Sequence, residues 1–85
     1  MRGKESFVQA LDITRDAALG MPVITVVGNS EAYVENFKSI VEYDCARVKL
    51  LTKKGLLSIC GERLEILYYD EEEIAVRGKI CNIEL

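Results

Sequence analysis

Histidine and tryptophan are absent from this sequence, and proline occurs once. Without histidine the chain lacks the side chain that titrates near neutral pH, the base of Ser-His and Cys-His pairs, and the commonest zinc ligand. The expectation is a protein that is not an enzyme, holds no cofactor or metal, and takes no small-molecule substrate. Eleven Lys and Arg stand against fourteen Asp and Glu, for a net charge of −3. With no tryptophan to stack on bases, that acidic balance argues against a nucleic-acid partner. Long apolar runs are missing too. The opening MRGKESFVQALDITRDAALG begins with basic residues but has no stretch of signal-peptide length, and no window reaches that of a membrane span. A chain that is neither exported nor membrane-spanning is expected. Cysteine is sparse and odd in number, at Cys45, Cys60 and Cys81 with no Cys-x-x-Cys pair, which fits a reduced, cytoplasmic setting.

What is present suffices for one small domain over residues 1–85. Apolar residues make up 49% of the chain and charged ones 29%, a balance that folds. A chain this short hides only about 60–65% of its unfolded surface, leaving no room for a second lobe or a deep enclosed site.

Along the chain, Phe7, Val8, Ala10, Leu11, Ala17 and Ala18 recur at helical intervals among good helix formers, predicting an amphipathic helix within residues 1–20. Gly20, Met21 and Pro22 end it. From residue 21 on, β-branched runs alternate with short turn signals. Strands are expected at Pro22–Val27, Ala32–Phe37, Ser39–Tyr43, Arg47–Leu51, Leu56–Cys60, Arg63–Tyr68, Glu73–Arg77 and Ile80–Leu85. Gly28-Asn29 and Lys53-Lys54-Gly55 read as turns, and Gly61 and Gly78 as the next junctions. Such brief connections exclude the crossover helices of a parallel sheet. The fold class is therefore mainly β: an antiparallel sandwich or roll of about seven to eight short strands with one N-terminal amphipathic α-helix.

Shifting the chain by 26 positions places Ile40 on Ile66, Val41 on Leu67, Tyr43 on Tyr69, Asp44 on Asp70, Val48 on Ile74, Leu50 on Val76 and Leu57 on Ile83. Two copies of one strand-turn-strand unit give such a pattern. In the Arg47 strand, alternation sends Val48 and Leu50 to one face and Arg47, Lys49 and Leu51 to the other. Later strands are apolar on both faces, with Leu56 opposing Leu57, Leu67 opposing Leu64 and Ile66, and Ile80 opposing Cys81, Ile83 and Leu85. The sheet must then be covered twice, by the helix, by itself or by another subunit. The last strand is expected to have no charged tail, proline or bulge to blunt it, so Ile80, Ile83 and Leu85 are the candidate association residues, with Phe7 and Leu11 on the helix second.

Other clusters have plainer readings. Asp70, Glu71, Glu72 and Glu73 lack the alternate spacing and glycine of a metal loop and are expected in a solvated turn. The three cysteines, with no histidine to activate them, are expected as small core residues. Gly55 and Gly61 are followed by neither Lys-Ser/Thr nor a helix, so no phosphate loop is formed. Arg47, Lys49, Lys53 and Lys54 read as a solvated strand face. The alternative function, a small β-barrel module for nucleic acid, would rest on Arg47, Lys49 and Lys53.

The opening Pro22-x-Ile24-Thr25-x-x-Gly28-Asn29, the block Val34-Glu35-Asn36, the strand Ile40-Val41-Glu42-Tyr43 and the endings Gly61-x-x-Leu64-x-Ile66 and Gly78-x-Ile80-x-x-Ile83 carry a likeness across nearly the whole chain. In these features the sequence resembles the YabP/YqfC family of sporulation proteins, its YqfC branch in particular. The motifs are structural punctuation and carry over no catalytic residue. The resemblance implies a small protein of endospore-forming bacteria, made in the mother cell for building the spore envelope. It implies a non-catalytic assembly or scaffold factor in the mother-cell cytoplasm, peripheral at the outer forespore membrane, acting with a membrane-bound sporulation protein; the doubly apolar sheet adds the expectation of a homo-oligomer.

Overall fold

A computed structural model describes residues 20–85; the expected N-terminal helix, with Phe7 and Leu11, lies outside them. The described chain forms six strands: β1 (Val23–Val27), β2 (Glu31–Glu35), β3 (Phe37–Tyr43), β4 (Arg47–Thr52), β5 (Gly55–Tyr69) and β6 (Glu73–Glu84). They make one antiparallel sheet in the order β1-β2-β6-β5-β4-β3.

Six strands replace the expected eight because two of the anticipated junctions are bends. Leu56–Cys60 and Arg63–Tyr68 belong to the single strand β5, and Glu73–Arg77 and Ile80–Leu85 to β6 with its terminal residue. Gly61 and Gly78 mark where this long hairpin turns a corner. A Cβ on Gly61 would sit 1.9 Å from the Lys79 carbonyl oxygen, and one on Gly78 would sit 2.6 Å from that of Arg63. The two backbones approach too closely for any side chain, and Arg63, at φ 53, and Gly78, at φ 146, absorb the change of direction.

The corner divides the sheet into two layers. One contains β1, β2, the first half of β6 and the last half of β5, with Glu31–Glu35 paired to Arg77–Glu73. The other contains the first half of β5, the end of β6, β4 and β3. Topology requires the fold-over. β2 and β3 stand second and last in the sheet yet are joined by Asn36 alone, at φ 70. In a flat sheet they would lie about 19 Å apart at roughly 4.8 Å per strand, whereas a single linking residue spans about 7 Å. The expected mainly β, antiparallel architecture is thus observed as one six-stranded sheet folded over, with corners made by strands that switch layers.

The core lies between the layers. Ala32, Val34, Ile74 and Val76 from one meet Val48, Leu50, Leu57 and Ile59 from the other, all fully buried, with Phe37, Leu64 and Ile80 in the same cluster. The alternation expected for the Arg47 strand holds, with Val48 and Leu50 inside. Burying each large aliphatic side chain contributes about 1.5–3 kcal/mol relative to leaving it exposed. The end of β6 departs from simple alternation. Gly61 pairs with Ile80 and Cys60 with Asn82, so Cys81 is an extra residue. This bulge brings Ile80 and Ile83 to the same side, both against the core, where strict alternation would oppose them.

Two turns that lie 26 residues apart are built alike. Asp44 Oδ1 accepts from the N–H groups of Ala46 and Arg47 at 2.8 and 2.9 Å. Asp70 Oδ1 accepts from Glu72 and Glu73 at 2.8 and 3.0 Å. Asp44 N–H donates to the Arg47 carbonyl and Asp70 N–H to that of Glu73, each at 2.9 Å. The β3–β4 and β5–β6 turns are the same side-chain-capped device at equivalent positions.

Candidate association surface

The sheet nearly closes on itself, and the place where it fails to close is the most distinctive surface of the described residues. β3 runs past the distal half of β5 in the opposite sense. At one end Asn36 N–H donates to the Glu72 carbonyl at 2.7 Å. At the other, Leu64 N–H donates to the Cys45 carbonyl at 2.8 Å, and Ile66 N–H to the Tyr43 hydroxyl at 3.4 Å. Among the described residues no backbone ladder joins the two strands between these ends. The result is an open seam flanked by two strand edges.

Its floor is apolar. Ile40, Tyr43, Ile66, Leu67, Tyr68 and Tyr69 line a groove of about 540 Å³. Through Ile40 and Tyr69 it continues into a second of about 490 Å³ that reaches Lys38, Asp70 and Glu71. Tyr43, Leu67 and Tyr69 are 49%, 39% and 60% exposed, so large apolar groups stand in water beside unpaired backbone. Leu67 is turned outward by a register shift between Ile66 and Tyr68. The sequence pattern set Leu67 on the face opposite Leu64 and Ile66, but nothing local in it brings β3 and β5 together. The pairing of Tyr43 with Tyr69 in the internal echo was the available signal.

A second cluster lies on the face of the first layer that points away from the core. Glu35 and Glu73 stand directly opposite each other across β2 and β6. They are 2% and 1% exposed. Only Asp70, Glu71 and Glu72 of the acidic run behave as the expected solvated turn; Glu73 begins a strand and is buried. Two tyrosines border this pair. Tyr68 donates its hydroxyl to Glu73 Oε2 at 3.4 Å, and Tyr33 donates to Glu31 Oε1 at 3.0 Å. Burial first, then the Glu73 charge and this hydrogen bond, pushes the Tyr68 phenol up to about 12. Burial and Glu31 raise that of Tyr33 as well. The arrangement keeps both phenols protonated as donors toward carboxylates.

Of the sequence-derived association residues, Ile80 is 8% exposed and belongs to the core cluster, and Ile83 packs against it. Leu85 is 62% exposed. The end of β6, from Ile80 to Glu84, pairs with β5, while β2 pairs only as far as Arg77. Its other flank is met at the start by the β1–β2 turn, where Asn29 O accepts from Ile80 N–H at 2.7 Å. The cysteines are not core residues: Cys45 and Cys81 are exposed and Cys60 partly so, because turn and bulge positions turn them outward. Among the basic residues, Lys49 pairs with Glu42 across β3 and β4 at 3.6 Å, and Arg47, Lys53 and Lys54 are exposed. Among the described residues no group of three or more His, Cys, Asp or Glu is set to hold a metal ion.

Comparison with known proteins follows this geometry. The model of the YabP family matches residues 21–85, the whole of the described β region. The chain is 33% identical over 79 residues to the uncharacterized protein YqfC of Bacillus subtilis, covering 93% of this chain and 85% of that one.

Proposed function

We propose, because this chain belongs to the YabP family, that it is a sporulation protein acting without catalysis, as an assembly or scaffold factor for the spore envelope. Family membership supports the link to sporulation. The observation that supports assembly is the open seam, where exposed Tyr43, Leu67 and Tyr69 lie beside two unpaired strand edges. Such a surface is suited to holding another polypeptide and offers no paired acid and base or nucleophile. The expected place of action is the mother-cell side of the outer forespore membrane, with a membrane-bound sporulation protein or further copies of this chain as partner.

The test is genetic. Deleting the coding sequence in its own spore-forming host should lower the count of heat-resistant spores, and restoring the wild-type chain should recover it. Undiminished heat-resistant spores after deletion would remove the sporulation role.

A further inference from the structure

The outer face of the first layer is sheltered where no described strand shelters it. Tyr33, Glu35, Glu73 and Ala75 alternate with the core residues Ala32, Val34, Ile74 and Val76 and so point away from the core, yet none of the four is more than 8% exposed. All six strands belong to one sheet whose other face holds the core, so none of them lies over these side chains. The cover is local. One row further on, Val27, Glu31 and Arg77 stand in line, and Val27 and Arg77 are exposed. The sheltered half of the face is therefore the half beside Asn36, and it holds two carboxylates side by side. Charges placed so deeply stay ionised only against a cation. Arg77, the cation of the same face, stands four residues along β6 from Glu73 and pairs with Glu65 at 3.2 Å.

The rest of the chain departs from this half. Asn36 Nδ2–H donates to the Met21 carbonyl at 2.9 Å, and Val23 pairs with Glu35, which sets residue 20 beside the sheltered face. At helical spacing, Lys4, Phe7, Val8, Leu11, Arg15 and Ala18 share one stripe, while Glu5, Asp12 and Asp16 gather on another side. That stripe is apolar with two cations and no acid, the complement of a face that carries tyrosines and two buried glutamates. Arg15 precedes Gly20 by five residues, about 8 Å of helix, and Lys4 by sixteen, about 24 Å, so Arg15 is the cation within reach of the pair. We propose that residues 4–19 form a helix docked across the outer face of the first layer, its apolar stripe on Tyr33, Tyr68 and Ala75 and Arg15 against the Glu35–Glu73 pair. The helix is then a built-in cover for the face opposite the core. This inference concerns a surface other than the seam and stands whether or not the seam holds a partner.

Two measurements on the full-length chain test this. Urea unfolding followed by circular dichroism reads the charge contact. Arg15→Met should lower the midpoint by about 2 M or more, as the loss of a buried partner does, and Arg2→Met, the same change made away from the stripe, by less than about 0.5 M. In a Glu73→Gln background Arg15→Met should lower the midpoint by less than half as much. Equal losses in the two backgrounds, or an Arg15→Met midpoint no lower than that of Arg2→Met, would overturn the pairing and leave the two carboxyls sharing a proton instead. The second measurement needs no destabilised variant. A nitroxide is attached at Asp12→Cys, on the polar side, in a nitrogen-15-labelled chain whose Cys45, Cys60 and Cys81 are replaced by serine. It should broaden the amide signals of Tyr33, Tyr68 and Ala75 and spare those of Lys49 and Ser58 on the outer face of the other layer. Broadening centred on Ile40 and Leu67 would put the segment in the seam and overturn the proposal, as would broadening spread evenly over the protein. So would broadening of a nitrogen-15 chain without nitroxide when it is mixed with an unlabelled chain that carries one, because the segment would then lie on a second copy.

Discussion

Gly61 offers a clean test of the corner on which the two-layer fold depends. Its φ is not in the left-handed region, so alanine there meets no backbone penalty, and the cost is the approach of Lys79 alone. Real Cβ contacts essentially never fall below 3.0 Å, and the added carbon would start at 1.9 Å from a carbonyl oxygen, so the strands must part by at least 1.1 Å. Parting them overpacks the corner, at about 1–3 kcal/mol. It also weakens one or two ladder hydrogen bonds, at about 0.5–1.5 kcal/mol each. A total of about 3 kcal/mol is expected, against a folding free energy of about 4–13 kcal/mol for a chain of this length. The control is Gly28→Ala, at φ 55 with open space around it, where the penalty is the left-handed conformation alone, about 1–2 kcal/mol. Urea unfolding followed by circular dichroism reads both. At a slope of about 1–1.5 kcal/mol per molar, Gly61→Ala should lower the midpoint by roughly 2–3 M. A Gly61→Ala midpoint no lower than that of Gly28→Ala would refute the close approach of β5 and β6.

Three further outcomes follow from the same structure. Leu50→Ala, at a fully buried site between the layers, should cost about 2–5 kcal/mol by denaturant titration, whereas Leu56→Ala, half exposed on the opposite face, should cost less than about 1 kcal/mol. Asp44→Ala and Asp70→Ala remove matching turn caps and should destabilise by similar amounts, about 1–2 kcal/mol each in thermal melts; a large disparity would deny the equivalence of the two turns. The Tyr68 phenol, raised in the folded state to about 12 from its ordinary 10, keeps its proton where the unfolded chain has lost it. Its contribution to stability is complete below pH 10 and disappears as pH rises toward 12. Tyr68→Phe should flatten that alkaline decline in pH-dependent unfolding, and an unchanged slope would contradict the upward shift that burial and Glu73 give the phenol.

Much of the β region was legible in the residues themselves. Val48 and Leu50 declare an inner face by alternation, and the turn at Lys53-Lys54 is written in its glycine, Gly55 having φ 116. Where the reading failed, a local signal had two structural meanings. Glycine marks a chain reversal or a bend under another backbone, and Gly61 and Gly78 are the second kind because β5 and β6 are paired through the corner. Glu73 is buried in a strand paired with Glu35, thirty-eight residues earlier, a long-range placement that no local pattern announces, so a run of four acids looked uniformly wet. The cysteines sat within strand-like runs, yet turn and bulge geometry exposes them. The seam was the least legible feature, since it arises from the single-residue passage at Asn36 that brings β3 alongside β5.

The position of β6 has a consequence for how the chain is born. It follows the other five described strands in the chain, yet it sits between β2 and β5, with Glu31 opposite Arg77. Long-range antiparallel pairing of this kind comes late, after the entropy of closing the intervening loop has been overcome. Until residues 73–77 emerge, Ala32 and Val34 have no neighbouring strand on that side, and the first hairpin waits with its flank bare. A nascent chain stalled before this point would display a sticky ribbon instead of half a domain, which makes the emergence of residues 73–77 the trigger for folding.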